Sequence, residues 1–391
     1  MLSENIQTQK KSFLGILNFL GLILSLRLAL PTYITSSFLS SFVSENLVGY
    51  IYILGSVFTL ILFYLASKIL ASWGNWKTTI VFSLISFFSL IGLVYAKDLY
   101  CIVFFLNLST ATATMVSFCL DIFIEHDTKN SLTGNTRGLY LTIMNSAWLI
   151  SPFLAGWMVG SENYKNVFLI SAFFMLVLSI FVFIKLKKFT DPIYKSFSVI
   201  NTLKEIIRRK DIRLIMFTFF LLQFFYAWMV IYMPIYLKNH LGFDWLTLGK
   251  MFTIMLLPFV FIQAPLGKIA DKGVGEKKLL LVGFLIMAVS TFVIPFIKNN
   301  SFIVWSLVLF VTRIGAATVE VMSDTYFFKK IGEKDANLIS VYRSMIPVAY
   351  IVGPIVAGAM LSFWGIEYLF YALAFLMLLG MTRDSEINDV K

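Results

Sequence analysis

Gly267-Lys268-Ile269-Ala270-Asp271-Lys272, followed by Gly275-Glu276-Lys277-Lys278, is a charged stretch between two long apolar runs, Trp245–Ala270 and Lys278–Ile297. A fainter copy stands earlier in the chain. Ser67-Lys68-Ile69 parallels Gly267-Lys268-Ile269 at an offset of 200, and Gly74 with Lys77 parallels Gly275 with Lys278 at 201. Two further matches keep the order: Asp121 with Asp324 at 203, and Pro152, Ala155 and Gly156 with Pro354, Ala357 and Gly358 at 202. Any one match is explained by small residues that let helices pack closely. Ordered recurrence at nearly one offset implies two similar halves.

Outward from that repeat, composition says what surrounds the chain. Of 391 residues, 59% are hydrophobic and 14% charged, against about 25% charged in a soluble domain. A mean hydropathy of +0.85 exceeds what a water-soluble core can hide. The 40 Phe residues suit helix surfaces that face lipid. The net charge of +11 is scattered between apolar runs and forms no stripe, so nucleic acid is not expected as a partner. Cys101 and Cys119 share one apolar run, where helical spacing separates them by about 27 Å, too far for a disulfide. With only two histidines and no Cys/His cluster, neither a metal nor a cofactor is expected. The apolar stretch after Met1–Lys11 is longer than a signal peptide's and is expected to stay as the first span.

A membrane crossing takes about 20 apolar residues. On that rule twelve spans are expected: Phe13–Leu39, Leu47–Leu70, Thr78–Ala96, Tyr100–Ile124, Arg137–Val159 and Val167–Leu186, then Leu214–Leu237, Trp245–Ala270, Lys278–Ile297, Phe302–Phe328, Leu338–Phe363 and Glu367–Met381. The predicted fold is all-α, with two six-helix bundles at residues 1–186 and 214–391 and a basic linker at 187–213. With the N-terminus inside, the inner segments hold 24 of the 32 Lys and Arg residues. The positive-inside rule then places both termini and the linker in the cytoplasm. Compact loops suggest a bacterial plasma membrane.

The Gly267–Lys278 stretch resembles the signature of the major facilitator superfamily, roughly G-x-[LIV]-A-D-[RK]-x-G-x-[RK]-[RK], with one extra residue before Gly275. The first copy departs from it, with Ser67 for the leading Gly and Ala71 for the acid. The resemblance implies the twelve-helix fold and a latch on the inner side. In that latch Asp271 would cap span five near Asn135–Gly138, where Arg137 stands, and Lys272 or Lys278 would reach Asp324. Pro152 with Gly156, and Gly353, Pro354 and Gly358, resemble the family's Gly-Pro motif, which is associated with exporters that exchange solute for protons. Ser151 replaces the motif's Gly in span five.

Ionisable residues at membrane depth are costly and by default face protein or a water-filled path. Arg27 lies midway along span one; Arg313, Glu320 and Asp324 share one face of span ten, at spacings of seven and four. Arg343 is near enough in depth to pair with Glu320 or Asp324. Glu320 is the candidate for proton coupling, since burial and a neighbouring Arg act on a carboxyl in opposite directions. Spans one, four, seven and ten line the cavity in the resembled family. Asn107 on span four and Gln223, Tyr226 and Tyr232 on span seven therefore join Arg27, Arg313 and Glu320 as candidates for substrate binding or coupling.

These readings describe a secondary transporter, not an enzyme. It would move a small organic solute by alternating access with protons, export by antiport being preferred, as a monomer embedded in lipid. The alternative is an uptake carrier for an anionic metabolite, suggested by Arg27 and Arg313. A membrane receptor or enzyme on the same scaffold is the remote one. The chain lacks the acid in span one and the Arg in span four that many drug exporters of the family carry, and it has no nucleotide-binding loop.

Overall fold

The computed structural model describes residues 2–127, 133–160, 163–192, 194, 199–270, 275–331 and 336–384. Among them the chain is helical. In lipid every backbone N–H and C=O must find a partner within the protein, and a helix supplies those partners locally. The buried hydroxyls follow the same rule: Thr59, Thr79, Thr112 and Thr318 each donate to the carbonyl four residues back.

In chain order the helices are α1 Leu2–Thr32, α2 Thr35–Ser40, α3 Glu45–Tyr95, α4 Leu99–Asp127, α5 Thr133–Val159, α6 Lys165–Lys185 and α7 Val199–Arg208. Then come α8 Lys210–Ile235, α9 Trp245–Phe261, α10 Gln263–Ile269, α11 Glu276–Val293, α12 Phe302–Lys330, α13 Ala336–Leu361 and α14 Glu367–Asp384. Nine described helices are long and apolar enough to cross a membrane. One of them, α3, has 51 residues, about 77 Å of helix and more than two bilayer thicknesses. It bends at Gly74, whose φ of 75° is left-handed, and so makes two crossings. With α5 and α14 the twelve expected transmembrane helices in two bundles are accounted for.

Three predicted spans are interrupted. Span one breaks after Pro31, which has no N–H for the Arg27 carbonyl, and the chain resumes as α2. Span eight breaks at Ile262, where Pro265 likewise cannot donate to the Phe261 carbonyl. Span seven ends in a widened turn, Tyr236–His240, just after Pro234. The linker, read from sequence as simply basic and polar, holds the amphipathic helix α7, which buries Thr202 and Ile206.

The chain forms two compact units: residues 1–34 with Leu54–Ser196, and Thr35–Ile53 with Phe197–Lys391. In the first, α1 packs on α4, α5 and α6. In the second, α8 packs on α12, α13 and α14, while α11 packs on α12 and α14. Apolar transfer does not drive helices together in lipid, so close backbone approach must. At the α11–α12 crossing, a Cβ on Gly283 would lie 3.1 Å from the Gly315 carbonyl oxygen, and one on Gly315 would lie 2.6 Å from that of Gly283. Phe88, Trp157, Phe173 and Phe292 stay exposed, as lipid-facing residues do.

Candidate functional site

In the first unit the buried charge is Arg27, only 3% exposed. Its Nη2 donates to the Ser109 carbonyl at 2.9 Å, to Ser109 Oγ and to Ser86 Oγ at 3.3 Å. Arg27 thus ties α1 to α4 and to the second arm of α3. Nε of Arg27 has no partner among the described residues. Asn107, also buried, donates to the Val103 carbonyl at 2.9 Å and fills the space beside Gly55.

A second polar cluster lies in the other unit, where α8, α10 and α12 meet. The Tyr226 hydroxyl donates to Glu320 Oε2 at 2.6 Å, and Gln263 Nε2 donates to Oε1 at 3.4 Å. Both donors are neutral. No cation lies within ion-pair distance of Glu320 among the described residues. About two turns away on the same face of α12, Arg313 is 1% exposed, and its guanidinium carbon stands 5.4 Å from the Phe225 ring and 5.3 Å from that of Tyr226. The two rings give the cation a π-face, but no described residue accepts a hydrogen bond from it, and Nε is unpartnered. Gln223 is buried on the same helix. Tyr232 is placed elsewhere, its hydroxyl against Gly49.

Asp324 belongs to a different set. It accepts from the Tyr342 hydroxyl at 2.7 Å and stands 3.9 Å from Arg343, which is 44% exposed. The Tyr342 ring is held between Phe219 and Phe327 at 4.0 and 4.1 Å, nearly parallel to both. Of the expected latch, Asp271 and Lys272 lie outside the described residues, as does the side chain of Arg137. Gly267 is half-buried and Lys278 is exposed. Among the described residues, the buried acid at this loop is Glu276, paired with Lys329 at 2.6 Å. At the turn of the first copy, where Ala71 replaces the acid, the carboxylate comes from Asp191. Its Oδ1 accepts from the Asn75 N–H at 2.7 Å and from the Tyr194 hydroxyl at 2.6 Å. Burial and Asp191 together push the Tyr194 phenol above its ordinary range.

The packing residues Pro152, Gly156, Gly353, Pro354 and Gly358 are all buried. Gly353 receives Trp228, whose Nε1 donates to its carbonyl at 2.8 Å, and Gly358 faces the Tyr50 hydroxyl. A Cβ on Gly49 would stand 2.8 Å from that of Pro354. Segment 45–53 is therefore seated closely on α8 and α13. A polar clasp closes its end: Glu45 meets His240 Nε2 at 3.0 Å and Asn239 Nδ2 at 3.2 Å. Sequence reading missed Gln263, Tyr342 and this clasp. The signal for Gln263 was a lone amide among apolar residues between Pro258 and Pro265; the clasp joins residues 195 apart and left no local trace.

A sequence model described as Major Facilitator Superfamily matches residues 128–336 and 247–383, together well over half the chain. No curated protein matches in sequence. The fold is similar to the crystal structure of a mutant of the nucleoside transporter NupG, with a TM-score of 0.75 and 12% identity over 96% of this chain and 99% of that one.

Proposed function

The chain belongs to the Major Facilitator Superfamily and is a multi-pass membrane transporter of a small molecule rather than an enzyme, and from that premise we propose that it couples an organic solute to protons through Glu320, exporting the one against entry of the other. The observation that carries this reading is the Glu320 carboxylate, held by Tyr226 and Gln263 with no cation in ion-pair range among the described residues. A carboxylate paired to an Arg resists protonation, because the proton would strand the cation. One held by two neutral donors exchanges its charge for a proton without that cost. Both donors can turn to solute polar groups when Glu320 is protonated, which gives solute and proton a shared site.

Arg313 supports a second reading. Its guanidinium is buried without a hydrogen-bond acceptor among the described residues, which favours a solute carrying an anionic group and hence an uptake carrier for an anionic metabolite. Arg27 supports that reading less, because three of its contacts are spent on Ser86 and Ser109. The Lys and Arg distribution favours both termini in the cytoplasm, and the compact loops favour a bacterial plasma membrane. We take the working unit to be a monomer.

The test is solute flux in proteoliposomes with and without an imposed pH gradient. The panel should span organic cations, neutral polar solutes and carboxylates, with nucleosides included as the cargo named for NupG. Proton exchange predicts uphill movement of at least one solute only when the gradient is present. Movement of carboxylates alone, abolished in Arg313→Gln, favours the anion carrier instead.

A further inference from the structure

At the end of the first unit where α3 turns at Gly74, a groove of about 420 Å³ is lined by Trp73, Trp76, Lys77, Ile80, Val81 and Phe183. Its wall is rigid. Trp76 stacks on Phe183 at 5.8 Å and 29°, and its Nε1 donates to the Val182 carbonyl at 3.1 Å. Its floor is apolar and open, with Phe183 55% and Val81 36% exposed. Its mouth is basic. Lys77 is exposed in the first turn after the Gly74 bend, and Lys185, Lys187 and Lys188 are exposed where α6 ends, just beyond Phe183. Asp191, the acid at this turn, already accepts from Asn75 and Tyr194.

We propose that this groove binds one anionic glycerophospholipid, with its phosphate on Lys77 and an acyl chain laid along Ile80, Val81 and Phe183. Trp73 and Trp76 sit beside a loop joining two crossings, the headgroup depth at which tryptophan is favoured. Ile80 and Val81 lie about 4.5 to 6 Å beyond Lys77 along the helix axis, where headgroup gives way to acyl chain. Lys77 in the lining, with three exposed lysines within five residues of Phe183, favours an anionic over a zwitterionic headgroup, each contributing attraction to a negatively charged leaflet.

The experiment is native mass spectrometry of the full chain equilibrated with equal amounts of phosphatidylglycerol and phosphatidylcholine. The wild type is expected to retain phosphatidylglycerol preferentially, and Lys77→Gln to lower that preference about fivefold. Lys97→Gln, in the loop just past the far end of the same arm of α3, is expected to leave it unchanged. Val81→Trp fills the groove and is expected to reduce retention of both lipids in a protein whose thermal unfolding is unaltered. A wild type without preference, a Lys77→Gln protein that keeps it, or a Val81→Trp protein that holds lipid as before overturns the proposal. None of these readouts depends on which solute is carried.

Discussion

Tyr226 donates its hydroxyl to Glu320 across 2.6 Å, and the same ring lies 5.3 Å from the guanidinium carbon of Arg313. One side chain of α8 thus touches two of the ionisable groups of α12, Glu320 and Arg313. Its hydroxyl serves the acid and its π-face serves the base, two functions that a single substitution separates.

Tyr226→Phe keeps the ring under Arg313 and removes the donor to Glu320. A hydrogen bond to a charged group is worth about 1.5 to 3 kcal/mol, so proton-driven flux of any solute the wild type carries should fall tenfold or more. The unfolding temperature in detergent should fall modestly with it. A variant with wild-type flux and reduced stability would make Tyr226 a packing residue only.

Arg27→Ala should act mainly on stability. The change deletes the donors that tie α1 to Ser86 and Ser109, including the 2.9 Å bond to the Ser109 carbonyl. The expected loss is about 2 to 3 kcal/mol, read as a lowered unfolding temperature. If Arg27 instead held an anionic solute, flux would vanish with folding intact.

Much of this architecture is legible in the sequence, and the reason is physical. Hydropathy marks each crossing because lipid tolerates only apolar runs of that length, and α3, α4, α6 and α12 fall where composition puts them. The repeated glycine and proline motifs carry the two halves. Paired partners are only partly legible. Depth alone puts Arg343 within reach of Asp324, and it stands 3.9 Å away, but the Tyr342 hydroxyl that also donates to Asp324 left no signal in the sequence. Asp191 replaces the acid missing at Ala71 from more than a hundred residues away. Nor did composition reveal α7, whose alternation of buried Thr202 and Ile206 with exposed Lys204 and Arg208 is masked by the polar residues around it.

Gly49→Ala should loosen segment 45–53. The added Cβ would stand 2.8 Å from the Pro354 ring, and a buried proline ring has nowhere to go. A cysteine introduced at Ser40, beside the Asn239 and Glu45 clasp, should then react faster with a membrane-impermeant maleimide. Unchanged labelling would show that the segment is not held by this contact.

Asp244 caps α9, accepting from the Thr247 N–H at 3.0 Å and its hydroxyl at 2.6 Å. These bonds hold its carboxyl below the ordinary carboxylate range. A group with a depressed folded pKa stabilises above its unfolded value, about 3.9, and loses that contribution as pH falls through the folded one. Asp244→Ala should therefore cost about 1 kcal/mol at neutral pH and nothing once the cap is protonated. Unfolding temperatures of both proteins between pH 7 and pH 3 should converge at the acid end; a constant gap would contradict the assignment.

Glu320→Gln bears most directly on the coupling. The amide keeps the size and can accept from Tyr226 while donating to the turned amide oxygen of Gln263, but it cannot exchange a proton. Proteoliposomes with an acidic interior should accumulate solute through the wild type and fail to do so through Glu320→Gln, while solute-for-solute exchange at equal pH persists in both. Undiminished gradient-driven accumulation by Glu320→Gln would contradict proton coupling at this residue.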